Sequence, residues 1–417
     1  MNRVVITGFG CVTPFGIGRD RYARGIREGQ SGIRRLTLFE PDRYITCRVV
    51  GEVPDFRPEE YIERARDKKR LSRVVPMAWL AADEALSMAG VDPKRMTTEE
   101  KQQVDVIIGS GGGGIEFAER QYMYYFGGNP LKANPYAIAS SIVGMLPGEL
   151  SIRYGFRGMS HALSNGCTSS TDAMGYAYYR IRSGQSVMVL TGGADACITR
   201  GVLAGYCLMR AVPRSFNDRP EKASRPFNRD REGFVLSEGA WMLVFEELEH
   251  ARARGARPLA EVVGYGSTCD AYHRVQIDPD ATETARAIQI ALREAGLSPA
   301  DVDYVNLHGT STPINDRLET MAMKRVFGDR AYEVPMSSTK SMIGHPQGAS
   351  GAAGVVATLI GMMEGFRPPT INYEVPDPEC DLDYVPNAAR PGPIEVAVCN
   401  CIGFGSKNSA LIIRATQ

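Results

Sequence analysis

The chain has 417 residues, with 48 basic and 48 acidic side chains and a formal net charge of zero. Hydrophobic residues make up 43% and charged residues 23%, an ordinary globular balance. The length predicts two cores or one large duplicated core, and the neutral balance argues against a global attraction to nucleic acid or to a membrane surface.

In chain order, short apolar runs alternate with amphipathic stretches. The start carries one early Arg and no long apolar segment, so it does not read as a secretory signal, and a cytoplasmic protein is expected. Residues 4–7 read as a strand, and the alanine-rich stretch 75–89 reads as a helix stopped by Gly90. Residues 104–108, 186–190, 241–245 and 259–263 are apolar runs bounded by Gly or charge, as in strands buried on both faces. Residues 282–295 place Ala285, Ile288, Leu292 and Ala295 on one helix face, and 315–327 do the same with Leu318, Met321, Ala322 and Val326. The most apolar stretch, 351–363, is too short to span a bilayer, so no membrane insertion is expected. Two strands, 395–400 and 410–414, flank a Gly-rich turn near the end. The alternation predicts a layered α/β fold. The polar stretch 249–258, with its Gly and Pro, suggests a division into 1–257 and 258–417. A distant duplication would explain two such halves, and the residues alone leave that open.

Nine cysteines, odd in number and without C-x-x-C spacing, argue against a disulfide framework and against a zinc site, so no metal is expected. Most read as small buried apolar residues. Cys167 differs. It lies in a small, polar run just before an amphipathic helix, where the positive end of the helix dipole would lower its pKa. Gly166 before it suits a tight turn. The alternative is inert packing at a helix start. Of five histidines, His308 and His345 stand out. His308 follows an apolar run, and both are followed by turns rich in Gly and Ser or Thr. Polar residues at the C-terminal ends of buried strands are where α/β folds place their sites, although a single such His is as readily a hydrogen-bonded core residue.

Six segments then point one way. NGCTSS (165–170), GGAD (192–195), RPFNRDREGFVLSEGA (225–240), VNLHGTSTPINDRLE (305–319), SSTKSMIGHPQGASGAAG (337–354) and CIGFGSKN (401–408) resemble β-ketoacyl-acyl-carrier-protein synthases of the type I/II group, in the family's order and across nearly the whole chain. The resemblance implies a thiolase-type fold of two similar βαβ-containing halves in five α-β-α-β-α layers. The N-terminal half, 1–257, would carry the nucleophile and the C-terminal half, 258–417, both histidines. It implies acyl transfer to Cys167 and then decarboxylative condensation with malonyl-carrier protein, in fatty-acid or specialised polyketide or lipid synthesis. His308 and His345 match the paired histidines that stabilise the enolate. Lys340 and Glu319 match supporting polar positions, with Glu319 a partner for Lys340. Thr310 and Thr312 match hydroxyls along the malonyl and pantetheine path. Phe404 matches a gating aromatic whose N–H, with that of Cys167, would form the oxyanion hole. Phe234 matches another aromatic near the site, with core packing as the plainer reading. No cofactor is implied.

Several positions depart from the family pattern. HPQGAS replaces the more frequent HLLGAA, Ile402 stands where Phe is common, and GFGSKN replaces GFGGTN. Gly112 falls where a larger residue often limits the acyl pocket, which predicts extra room for a long or unusual chain. The family's partner is an acidic acyl carrier protein. Lys68, Lys69 and Arg70, within the basic run 64–73, with Lys132 and Arg210, are the expected contacts. A homodimer is expected, with a heterodimer as the second form; no nucleic-acid binding is expected. Three alternatives remain: a catalytically silent chain-length partner, a different thiolase-fold enzyme acting on acyl-CoA, and an oxidoreductase, which the Gly run 109–114 supports poorly without an acidic ribose-binding signal.

Overall fold

Ten strands carry the architecture. In chain order they are β1 (Val4–Thr13), β2 (Val104–Gly109), β3 (Ser160–Leu163), β4 (Met188–Asp195), β5 (Gly239–Glu247), β6 (Ala260–Cys269), β7 (Tyr304–Asn306), β8 (Met336–Ser337), β9 (Val396–Gly403) and β10 (Lys407–Ala415). The structure, a computed structural model, describes residues 1–416.

The strands lie in the order β8-β7-β9-β10-β6-β1-β5-β4-β2-β3. Reading outward from the centre, the first five strands run 1-5-4-2-3, and the second five run 6-10-9-7-8, the same path shifted by five. The senses repeat too. The pairs β5–β1, β4–β5, β10–β6 and β9–β10 are antiparallel. The pairs β2–β4, β2–β3, β7–β9 and β7–β8 are parallel. The fold is therefore a duplication, the possibility that the residues alone left open. A short antiparallel seam joins the halves, with Val4 opposite Val262 and Ile6 opposite Ala260.

Helices fill three layers around these strands. α1 (Val74–Ala89) and α2 (Met145–Tyr154) cover the outside of the first half, and α4 (Thr282–Ala295) and α5 (Pro313–Phe327) cover the second. Between the halves lie α3 (Ser169–Arg182) and α6 (Ser350–Glu364), which touch each other and strands of both repeats. That is the five-layered thiolase-type arrangement. α6 is buried on every side from Ser350 to Gly361. A helix apolar all round belongs in an interior, and each fully buried Val, Leu or Ile there contributes roughly 1.5–3 kcal/mol.

The expected strands are found, several of them longer than predicted. β1 runs on to Thr13 because its glycines let α1 approach: a Cβ on Gly10 would lie 2.8 Å from the backbone N of Ala85. β6 repeats the device, with a Cβ on Gly266 falling 2.8 Å from the N of Ala291 on α4. Gly-x-Gly breaks the apolar pattern in both strands, so the sequence pattern stops too early. The helix 282–295 is found with those bounds, and Gly296 closes it in the left-handed region. The polar edge strand β3, with exposed Ser160 and His161, gave no apolar signal. Among the described residues, no helix is long and apolar enough to cross a membrane.

Candidate active site

The site forms where the two middle-layer helices begin. A 3₁₀ turn, Gly166–Thr168, leads into α3 and carries Cys167. Gly166 has φ 65°, a left-handed conformation that glycine takes without strain, and the turn passes beside the Phe404 backbone. From the other half, His308 follows β7, and His345 precedes the turn into α6. His345 Nε2 stands 3.2 Å from Cys167 Sγ, and its Nδ1 is 2.8 Å from the Ser350 hydroxyl. The His308 ring meets the His345 ring edge-on at 5.3 Å. Each of Cys167, His308 and His345 offers a donor atom within 4.8 Å of the others, and all three residues are buried.

Electrostatics follow from that burial. Desolvation pushes the Cys167 thiol up to about 11, against the opposing pull of the Phe404 and Cys167 N–H groups and the Lys340 ammonium. The expectation of a thiol acidified by its helix start is thereby corrected, because loss of water outweighs the turn's dipoles in a fully buried pocket. Burial also drives His308 and His345 well below the ordinary imidazole value, and the Lys340 charge adds to both shifts. Both rings are neutral at pH 7. A neutral Nε2 facing a neutral thiol can take its proton at the moment of attack. Lys340 is itself buried, which lowers its pKa, while the neighbouring Cys401, Glu319 and Cys167 pull it back up.

Glu319 does not ion-pair with Lys340 as expected. Its carboxylate instead holds the His308 turn, accepting the N–H groups of His308 and Gly309 at 2.7 Å each and the Asn400 amide at 2.6 Å. A buried carboxylate is cheapest where backbone donors saturate it. Asp316, one turn earlier on α5, accepts from Phe227 and Ser311 N–H in the same way, so both acids belong to a buried network.

A cavity of about 330 Å³ opens onto the sulfur. Cys167, His308, His345, Thr310, Thr312, Phe234, Ile402, Phe404 and Arg210 all line it. The Thr310 and Thr312 hydroxyls are 2.9 Å apart, and Phe234 packs edge-on against His345 at 5.2 Å. Gly112 does not line it. A Cβ there would run into the sulfur of Cys197 and lie 3.1 Å from Ile115 Cγ2, so the room expected from the missing side chain is filled by a neighbouring cysteine. Lys68, Lys69, Arg70 and Lys132 do not line it either. Lys69 and Arg70 hold segment 134–140 through their carbonyls, and the Arg70 guanidinium lies over the Tyr136 ring. Arg73, from the same basic run, is bound to buried Glu238.

Sequence reasoning missed the residues that shape the two turns. Asp195, at the end of β4, accepts the N–H groups of Gly111, Gly112 and Gly348. Gly403, at the end of β9, has no side chain, and a Cβ there would lie 3.2 Å from the Cys167 N. The Cys167 N–H is thus left to point, with that of Phe404, at the reacting sulfur. Ser350 was legible only as the fifth residue after His345 in HPQGAS.

Family models match in the same two parts: the N-terminal domain of β-ketoacyl synthase over residues 1–251 and its C-terminal domain over 259–374. The chain belongs to the β-ketoacyl synthase family. As a member, it is a condensing acyltransferase of the 3-oxoacyl-[acyl-carrier-protein] synthase type. It is 41% identical over 416 residues to the 3-oxoacyl-[acyl-carrier-protein] synthase 2 of Synechocystis sp., covering 100% of this chain and 98% of that one. Two solved structures are similar over 100% of both chains: the ishigamide ketosynthase/chain length factor, with TM-score 0.91 and 33% identity, and a type II polyketide-synthase acyl-carrier protein in complex with its ketosynthase bound to the hexaketide, with TM-score 0.90 and 30% identity.

Proposed function

We propose that Cys167, His345 and His308 carry out a two-stage β-ketoacyl synthesis in which the carrier protein delivers both substrates. In the first stage His345 Nε2 takes the thiol proton, Cys167 Sγ attacks the acyl thioester carbonyl, and the Cys167 and Phe404 N–H groups receive the developing oxyanion. The carrier's thiolate leaves with the proton. In the second stage malonyl-carrier protein loses CO₂. Its thioester oxygen takes up negative charge beside His308 and His345, and the resulting carbanion attacks the acyl group on Cys167. The products are a β-ketoacyl-carrier protein two carbons longer and the Cys167 thiolate, which regains its proton from solvent. Burial, with the Lys340 charge adding to it, keeps both imidazoles neutral, and Glu319 is a positioning residue that fixes the His308 turn. Thr310, Thr312, Phe234 and Ile402 form the walls. The single observation that carries this reading is the 3.2 Å approach of His345 Nε2 to Cys167 Sγ, with His308 alongside in a buried pocket.

The silent chain-length partner is the weaker reading, because the nucleophile and both histidines are in place. The division between the halves is set at 257/258, in the segment between β5 and β6, and the reaction is assigned to the cytoplasm. Arg210 at the cavity mouth, together with Lys68, Lys69, Arg70 and Lys132, is assigned to the acidic carrier. A paired state is supported by exposed Met123, Tyr125, Phe126, Leu131 and Ile142 and by the free edge of β3, with a homodimer favoured over a heterodimer. The decisive experiment is intact-protein mass measurement with an acyl-carrier donor. One acyl group should appear on the wild-type chain and none on Cys167→Ala, with subsequent malonyl-carrier addition releasing the adduct as product. An adduct that persists in Cys167→Ala would overturn the assignment.

A further inference from the structure

Gln347 lines the cavity two residues after His345. Its φ is 49°, a left-handed conformation that L side chains other than Asn and Asp seldom adopt. The backbone is pinned there from behind, since Asp195 Oδ2 accepts the Gly348 N–H at 2.7 Å. Leucine, frequent at this position in the family, would meet the same strain without offering any polar group. Gln347 does offer one. The Tyr206 hydroxyl donates to its Oε1 at 2.9 Å, while its Nε2 is buried with no partner. If the amide is turned over, Tyr206 accepts from Nε2 and the phenol's own proton is unspent. In either orientation the pair has a donor left over. Tyr206 stacks edge-on to Phe234 at 4.9 Å, and Phe234 meets His345 at 5.2 Å, so Tyr206 backs the wall that Gln347 and Phe234 share with Cys167.

A buried donor without an acceptor is costly, and a ligand oxygen is what would satisfy it. We infer that Gln347 and Tyr206 form a polar station for an oxygen on the acyl chain held by Cys167, and that the site selects oxygenated acyl thioesters over plain alkyl ones. The inference rests on the condensing role of Cys167. It goes further by naming the chemical class of the chain and the two residues that read it.

The test uses two matched pairs of pantetheine thioesters, 3-oxobutanoyl with butanoyl and 5-oxohexanoyl with hexanoyl. The readout is the rate at which each acylates Cys167, followed by intact mass. In at least one pair the wild-type chain should favour the oxygenated member by about 3- to 10-fold, the worth of one buried hydrogen bond. Gln347→Leu should bring that ratio to about one, and Tyr206→Phe should lower it. Gln347→Met serves as a second variant should the first fail to fold. A ratio of one or less in both pairs for the wild type, or a preference that survives Gln347→Leu or Gln347→Met, overturns the inference. If only the selectivity is missing, acyl transfer to Cys167 still stands. If no donor acylates the wild type, the condensing role falls and the polar station with it.

Discussion

Two turns, Gly166–Thr168 before α3 and Gln347–Ala349 before α6, sit at the same point of the repeated fold. Each opens with a left-handed residue, Gly166 at φ 65° and Gln347 at φ 49°. The next residue is Cys167 in one and Gly348 in the other. Facing them are two strand ends: Asp195 caps the Gly348 N–H, while Gly403 leaves the Cys167 N–H uncapped. One backbone shape thus serves two purposes. Where a carboxylate closes the turn it is scaffold, and where glycine leaves the amide open the N–H is free for the oxyanion that the proposed mechanism places there. The comparison locates the difference between structure and catalysis in a single strand-end residue, rather than in the helix start itself.

Making the two turns alike should abolish that difference. Gly403→Asp would set a carboxylate against the Cys167 N–H, and kcat should fall by about 10²–10³-fold, the usual effect of losing one oxyanion donor. Gly403→Ala should lose less, and steady-state kinetics with both variants would show it. An Asp variant no worse than the Ala variant would break the comparison. The reciprocal change, Asp195→Asn, leaves buried N–H groups facing an amide. Stability should drop by about 1–3 kcal/mol in urea unfolding, because an unmet buried donor costs that much. An unchanged midpoint would mean that the second turn does not need its cap.

Smaller effects probe the surroundings. Reversing charge at Lys68 and Lys69 should raise KM for the carrier-bound substrate about 3- to 10-fold and spare a small pantetheine thioester, since exposed charges steer encounter. Equal loss on both substrates would remove these residues from the docking surface. The smallest effect concerns pH. With His345 held well below 6.5, the base stays unprotonated through the range where a free imidazole titrates. Cys167 acylation should change by no more than about twofold between pH 6 and pH 8, and fall only when the pH reaches the depressed imidazole value. A titration centred near 6.5 in stopped-flow acylation would contradict the burial of that ring. The same shift bears on stability. The unfolded chain takes up a proton below about pH 6.5 that the folded site refuses, so His345 erodes stability progressively as the pH falls from there to the folded value.

Much of this was legible in the sequence, for identifiable reasons. Cys167, His308 and His345 stood out because each sits among small residues at a turn, and those turns are what bring them together. The alternation of strands and helices announced the layers. The duplication was written in the Gly-x-Gly of β1 and β6, yet two glycines carry no apolar period. Glu319 was legible as a supporting polar position, but its acceptor role was not, because its main donors are backbone groups of a turn whose shape is not encoded residue by residue. The extra room at Gly112 was misjudged for a related reason. An absent side chain reads as space, while the structure lets Cys197, distant in sequence, occupy it. The polarity of Gln347 was visible as a departure from HLLGAA, and only the fold showed which way it faces.

The sulfur comes from one repeat and both imidazoles from the other, across a seam that pairs only a few residues of β1 and β6. Reactivity at Cys167 is therefore a gauge of alignment between the halves. A slip of α3 against α6 could leave every strand and helix whole and still part the thiol from its base, since such constellations tolerate about half an ångström. Chemistry here acts as an inspector of assembly: a misfit too small to unpack the shared core would still show as a silent sulfur.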